Sequence, residues 1–427
     1  MKNMHTMFRA FRPAAAGILL AVLALPAGAV DLKTPDGSWT FSLTGNVNVD
    51  YIWSSCQSAN SAVAVNGGLT CVATQSSSNV SNIGNGLLPA AFSFGVATTQ
   101  NGIDLAAHLG LYPGIATNDG GSPNLQTGNG PTNTALGSTG LDIRQVYMTF
   151  GTKEAGTATL GRNIGLFGAD VILNDMTLPG VGAPGSAAGT APSNTTLGGI
   201  GFGYIYTDWL AQIDYTTPDL SGFGATVGVF DPINSLSEPA GATTQPKRAP
   251  GFHAKATYGM PFSDTTKLYL SAAFLTQEQD YVFGSTAYDY RGNGIDVFAR
   301  LDVQDLQAFL YYYHATGLGT TALFDGGAFG LGDKRDSDGF LAQVTYKIGQ
   351  VKLGAQYGES KLDYANDVDR MANPDLVAKN KKATVGVYYS LTKNLTLLAE
   401  GSSVKSESHA GGTNDSTTIN VGAFLGF

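Results

Sequence analysis

Long apolar runs are missing from this chain after its first thirty residues. Nothing there approaches the roughly eighteen residues that a membrane-spanning helix needs. Charge is scarce as well, at 13% of residues, with 24 Lys and Arg against 33 Asp and Glu. An acidic balance disfavours nucleic acid as a partner. Cysteine is limited to Cys56 and Cys71, which share one polar loop. Their spacing is not that of a metal site. In an oxidising compartment a disulfide is expected, and two unpaired thiols are the alternative. The five histidines are few, and His108, His253 and His314 fall on different expected strands. Nothing sets any of them beside a serine with a supporting acid, as nucleophilic catalysis requires. Asp336-Ser337-Asp338-Gly339 lacks the later carboxylate of a calcium loop. The Gly199–Gly203 repeat opens no helix and so offers no phosphate site. No catalytic residue, metal or cofactor is therefore expected.

Glycine, tyrosine and phenylalanine, at 56, 19 and 21 residues, are plentiful instead. Low charge with regularly spaced aromatics is not a signature of disorder. Residues 1–29 read as a secretory leader: a basic start (Lys2, Arg9, Arg12), an apolar Ala14–Leu25, and a small-residue cleavage site at Ala27-Gly28-Ala29. Its removal takes three positive charges and no acid, leaving 21 Lys and Arg against 33 acids, net −12. Residues 30–427 form one domain.

That domain is written in period two. In GSWTFSLTGNVNVDYIW, which begins at Gly37, Trp39, Phe41, Leu43, Val47, Val49, Tyr51 and Trp53 share one parity. Ser42, Thr44, Asn46, Asn48 and Asp50 share the other. Such alternation is a strand with one apolar and one polar face. Aromatics stand near both ends of the apolar face, where bilayer interfaces favour them. Hairpins follow in the same pattern: 90–113 around Gln100-Asn101-Gly102, a strong turn signal, then 201–230, 252–275, 293–314, 339–359 and 383–403. The final strand ends on Phe427. Sixteen strands result. Short turns alternate with long polar loops at 54–84, 113–140, 231–250, 276–290, 315–337, 361–380 and 405–415. In lipid every backbone group must be paired, so such a sheet must close. The fold expected is all-β, a sixteen-stranded antiparallel transmembrane barrel with short periplasmic turns and long extracellular loops.

One stretch breaks the pattern. Strands at 141–150 and 156–162 lead into a long loop, 163–197, with apolar residues spaced among Asp170 and Asp175. A loop this long in a compact domain is commonly functional. It is expected to fold into the barrel and narrow it, with Arg144 and Arg162 facing Asp170 and Asp175 across a water-filled constriction. A charge on the lipid face costs about 2–4 kcal/mol at midplane, which turns both arginines toward the lumen. Lys255, Arg300 and Lys347 lie on the polar parity of their strands and are expected to line it too.

In order along the chain, these segments resemble the Gram-negative general porins, which are trimeric and sixteen-stranded. IDYTTPDLSGFGATVG (213–228) resembles a family turn. In YYSLTKNLTLLAEG (388–401), Tyr389, Leu391, Lys393 and Leu397 match a late family hairpin. DIRQVYMTFG (142–151) resembles the strand carrying a pore arginine, and LGRNIGLFGADVILNDMTLP (160–179) the start of the constriction loop. By this match Arg144 and Arg162 fall on basic pore-wall positions, Asp175 on a loop acid, and Phe427 on the assembly signal. The chain departs from the family at Thr177-Leu178-Pro179-Gly180, where a second acid is usual. It departs again at 198–206, where a further base is usual, and at Leu425-Gly426. The resemblance implies a homotrimer in the outer membrane of a Gram-negative bacterium, in contact with lipid and lipopolysaccharide. It would pass small hydrophilic solutes and ions passively. A substrate-specific channel, a barrel enzyme and a secreted adhesin are the alternatives.

Overall fold

The computed structural model describes residues 30–73, 78–115, 118–119, 132–133, 141–184, 195–235 and 242–427. The leader expected at 1–29, most of the 113–140 loop, and 185–194 of the inward loop lie outside the described residues. Sixteen strands make the wall: β1 Trp39–Ser55, β2 Ala91–Gln100, β3 Ile103–Pro113, β4 Leu141–Thr152, β5 Gly156–Ile164, β6 Trp209–Thr216, β7 Phe223–Phe230, β8 Gly251–Pro261, β9 Thr266–Phe283, β10 Thr286–Val303, β11 Leu306–Thr316, β12 Asp336–Ile348, β13 Val351–Leu362, β14 Val377–Ser390, β15 Leu395–Ser408 and β16 Thr413–Gly426. Each is antiparallel to its neighbours. The barrel closes where β1 meets β16, from Asn46 opposite Gly426 to Ser55 opposite Thr417. At that seam Gly45 and Phe427 exchange two backbone hydrogen bonds, 2.7 and 2.9 Å.

The alternation reads inside out relative to a soluble protein. Ile213, Met148, Val385 and Leu310 are more than half exposed on the outer face, while Asn48, Thr384, Lys382 and Asn420 are buried inside. Phe150, Tyr215, Phe223, Tyr346 and Tyr389 stand outward near the short turns. This is where an interfacial aromatic girdle belongs.

Three boundaries differ from the sequence reading. Residues 276–290 are not a loop, because β9 and β10 pair without a break up to Phe283 opposite Thr286. The second barrel strand has two parts: Asn79–Gly84 pairs with upper β1, and β2 with lower β1. Between them Pro89 can donate no ladder hydrogen bond, and residues 85–90 leave the wall. The inward loop also runs longer than expected. GFGYIY (201–206) is not strand, and β6 begins only at Trp209.

The lumen is partly filled. The inward loop and the 317–335 loop share an apolar core with the wall from β9 to β12, including Phe167, Tyr204, Leu275, Phe298, Leu318, Phe324 and Leu341. Tyr311 and Tyr313 point into this core and Tyr312 points out. The wall receives the loop by omitting side chains. At Gly358, opposite Leu341, an added Cβ would strike the Phe202 carbonyl.

Above the seam, Cys56 and Cys71 are bonded across a separation of 15 residues. The bond holds a loop over the barrel mouth. Thr70 donates to Ser406 at 2.7 Å, Asn414 donates to the Val63 carbonyl at 2.9 Å, and Asn66 exchanges backbone bonds with Asp375 and Val377. In the chain-entropy account, closing a loop of this length contributes about 3 kcal/mol. Cys56→Ser is expected to make 57–73 sensitive to protease while the barrel still resists it. Equal protection of that loop in both proteins would show that the hydrogen bonds alone suffice.

Candidate permeation site

The inward loop leaves the wall at Gly165 and returns at Asp208. Among the described residues of the loop, one helix, α1, spans Ala169–Asn174. Buried polar groups must be hydrogen-bonded, and here those bonds tie loop to wall. The Asp170 carboxylate meets the Lys255 ammonium at 3.1 Å and accepts from the hydroxyls of Ser271 (2.5 Å) and Tyr269 (3.2 Å). The Met176 amide donates to Gln343 at 2.7 Å, and the Gly203 amide to Ser360 at 2.8 Å. Glu400 accepts from the amides of Val181 and Gly182, at 2.8 and 2.9 Å. Lys382 donates to the Gly198 carbonyl. The displaced 85–90 segment adds strand-like bonds, from the Leu87 amide to Gly180 at 2.7 Å and from the Leu88 amide to Leu178 at 3.0 Å.

This arrangement changes what several charged residues do. Asp175 is 3% exposed. Its oxygens accept from the Thr177 amide and hydroxyl, Tyr204 and Gln356. All four are donors, so the carboxylate is spent holding the loop in shape. Asp170 is likewise engaged on the wall. Burial alone would raise its pKa, but Lys255 and the hydrogen bonds from Ser271, Lys255 and Tyr269 outweigh this and lower it. Arg144 and Arg162 do not stand together. At Arg144 the ladder slips: Gly110 faces Gln145 and Leu111 faces Ile143, and Arg144 is the extra residue. Such a bulge re-aims a side chain, and Arg144 lies inside, 3.1 Å from Asp142 and over the Tyr112 ring at 5.2 Å. Arg162 stands opposite Val146 and Ala211, both on the outer face. A one-residue change of parity moves a side chain to the other side of a sheet. The inward neighbour is Asn163, which accepts from Gln145 at 2.9 Å. The expectation of a lumen-facing Arg162 is corrected accordingly.

Lys255, Arg300 and Lys347 lie on the lumen side. Lys255 is opposite buried Ala273, and Arg300 is opposite buried Phe309. Arg300 binds Asp302 at 3.1 Å and donates to Asn174 at 2.7 Å. Lys347 borders the space near the periplasmic turns together with Lys352.

Among the described residues, the open space includes three chambers that share lining residues. The upper one, about 420 Å³, is bordered by Asn66, Thr320, Arg335 and Asn373. The lower one, about 570 Å³, is bordered by Asp302, Asp305, Gln343, Lys347 and Lys352. The waist between them, about 270 Å³, is lined mainly by hydrocarbon. It shares Thr321 and Asp325 with the upper chamber, and Leu88, Leu173 and Leu178 with the lower. Its charged lining is Arg144, Asp208 and Asp325. Burial raises the Asp208 pKa against the lowering influence of the Trp209 amide, Arg162 and Arg144.

The sequence reading missed Glu400, Lys382, Asp208 and the Leu87-Leu88 pair. Glu400 carried a usable signal, a charge on the polar parity of a strand, whereas Lys382 lay just before the strand expected from Ala383. Leu87 and Leu88 fall between the 54–84 loop and the strand expected after Pro89, so the reading assigned them no place. Asp208 had none, because its position depends on where the loop returns.

A family model described as Gram-negative porin matches residues 14–409. The outer membrane channel DcaP of Acinetobacter baumannii superposes with a TM-score of 0.68 at 16% identity, over 93% of this chain and 99% of that one. An anion-selective porin from Comamonas acidovorans gives 0.56 at 14%, over 91% and 100%. OmpT of Vibrio cholerae in a trimer form gives 0.50 at 12%, over 91% and 100%. No curated protein matches in sequence. The closed barrel, the loop folded inside it and the family match agree: the chain belongs to the Gram-negative porins and is an outer-membrane channel for passive diffusion.

Proposed function

We propose that this porin selects its solutes at the hydrocarbon waist rather than by a field between rows of opposed charges. The observation that supports this is the lining of the smallest of the three chambers, which shares Leu88, Leu173 and Leu178 with the lower chamber. Arg144, paired with Asp142 and near Asp208, is the pore-lining cation of this filter. Asp170 and Asp175 shape it by holding the loop. Hydrophobic constrictions oppose the passage of fully hydrated ions, so the open-state conductance is low for a barrel of this size. Leu173→Ala and Leu178→Ala are expected to raise single-channel conductance in planar bilayers severalfold. Variants that conduct like the wild type would move the filter elsewhere.

The chain works as a homotrimer on this reading, as OmpT of Vibrio cholerae was obtained in a trimer form. Unheated detergent-extracted protein is expected to migrate as a trimer in electrophoresis and to fall to monomer on heating. A species migrating only as monomer would refute it. Residues 1–29 direct export and are then removed, and Phe427 serves in assembly.

A further inference from the structure

We propose that the waist binds the apolar side group of small zwitterionic solutes, so that this porin passes an amino-acid-like molecule with a hydrocarbon side chain faster than an equally sized polar one. The inference deepens the reading of the waist as the filter and rests on it.

A water pore and a ligand pocket differ in their walls. Small-molecule sites occupy roughly 300–1,000 Å³ and are mostly apolar, with a few polar groups that fix orientation. The waist, at about 270 Å³, has that character. Leu87, Leu88, Ile172, Leu173, Leu178 and Ile200 contribute to its apolar walls. Against those walls water finds few partners, whereas the polar groups of the lining lie elsewhere in the chamber. A hydrocarbon group that packs on these walls leaves its own hydration behind. The charged lining then decides the head group. Arg144 on one side and Asp208 and Asp325 on the other bring both signs to this one chamber. A solute with one charge would meet one of them unfavourably, whereas a carboxylate and an ammonium on one carbon can meet both. The chambers on either side are bordered by ionic and amide groups, so the same solute is solvated before and after the waist.

Leucine and asparagine are nearly equal in size and identical in charge. In swelling assays on proteoliposomes of the trimeric protein, leucine is expected to enter severalfold faster than asparagine. In planar bilayers phenylalanine is expected to block the potassium chloride current saturably, and glutamine not at all. Leu88→Asn and, independently, Leu173→Asn should abolish the leucine preference and the block while a chloride-salt current persists, which shows a folded channel. Equal leucine and asparagine rates in a channel whose conductance still responds to Leu173→Ala would overturn the inference and leave the filter reading standing. If Leu173→Ala has no effect either, both fall.

Discussion

Replacing Glu400 by alanine is expected to free the tip of the inward loop and raise the single-channel conductance severalfold, with the barrel intact. Glu400 sits on β15 with its carboxylate in the lumen, 3% exposed. It holds the loop where the chain turns at Gly180, and an added Cβ at Gly180 would collide with the same carboxylate. Three donors converge on it: the Val181 and Gly182 amides, and the Tyr388 hydroxyl at 2.7 Å. Removing the acceptor leaves all three buried without a partner, at about 1–3 kcal/mol each. The loop has few ways to meet that cost except to move toward water. The Leu87 and Leu88 ladder bonds would still hold its neighbouring segment, so the expected state is a wider and noisier pore. Glu400→Gln keeps one acceptor oxygen and should fall between the two. The measurement is single-channel conductance with protease accessibility of the loop. A quiet channel of wild-type conductance in the alanine variant would mean that the ladder bonds alone fix the loop.

Glu400 also marks the limit of what the sequence could say. The wall was legible because every strand obeys the same two-residue period, and lipid on one side and water on the other make the parity decisive. The alternation at Trp39–Trp53 therefore set faces, strand and neighbours together. The interior obeys no period. The loop from Gly165 to Asp208 takes its path from partners far along the chain: Lys255, 85 residues from Asp170, and Gln343, Gln356, Lys382 and Glu400, each more than a hundred residues from the group it holds. The glycines that admit it, such as Gly358, look like ordinary strand glycines. Parity failed locally too. The rule that a charged strand residue must face the lumen held for Arg144 only through an added bulge residue, and it did not hold for Arg162. A single extra residue in one strand is invisible without the ladder, yet it decides which arginine enters the pore.

Lys255→Met is the second large effect, and its signature is an inverted response to pH. In the wild-type protein Asp170 is held below the ordinary carboxylate pKa, because Lys255 and its hydrogen-bond donors outweigh the burial that would raise it. The folded protein thus binds that proton less readily than the unfolded chain does. The tether is fully present above the ordinary carboxylate pKa and is lost only as pH falls through the lowered folded value. Conductance should stay flat through the neutral and mildly acidic range and rise only in strong acid. Without the ammonium, Asp170 is left in the same enclosed site with only the hydroxyls of Ser271 and Tyr269. Breaking a buried pair in this way costs about 3–5 kcal/mol, and the lower end applies because both side chains keep some exposure, 15% and 16%. Burial then dominates, and the carboxyl rises above its unfolded value. Its neutral form is the one the folded protein tolerates, so the loop is held better as pH falls and worse as pH rises. The variant should be open and noisy at alkaline pH and quieten on acidification, opposite in direction to the wild type. Asp170→Asn added to Lys255→Met removes the stranded charge and should abolish the pH response. A single variant whose conductance ignores pH would show that water reaches Asp170 freely, and that the ion pair does not hold the loop.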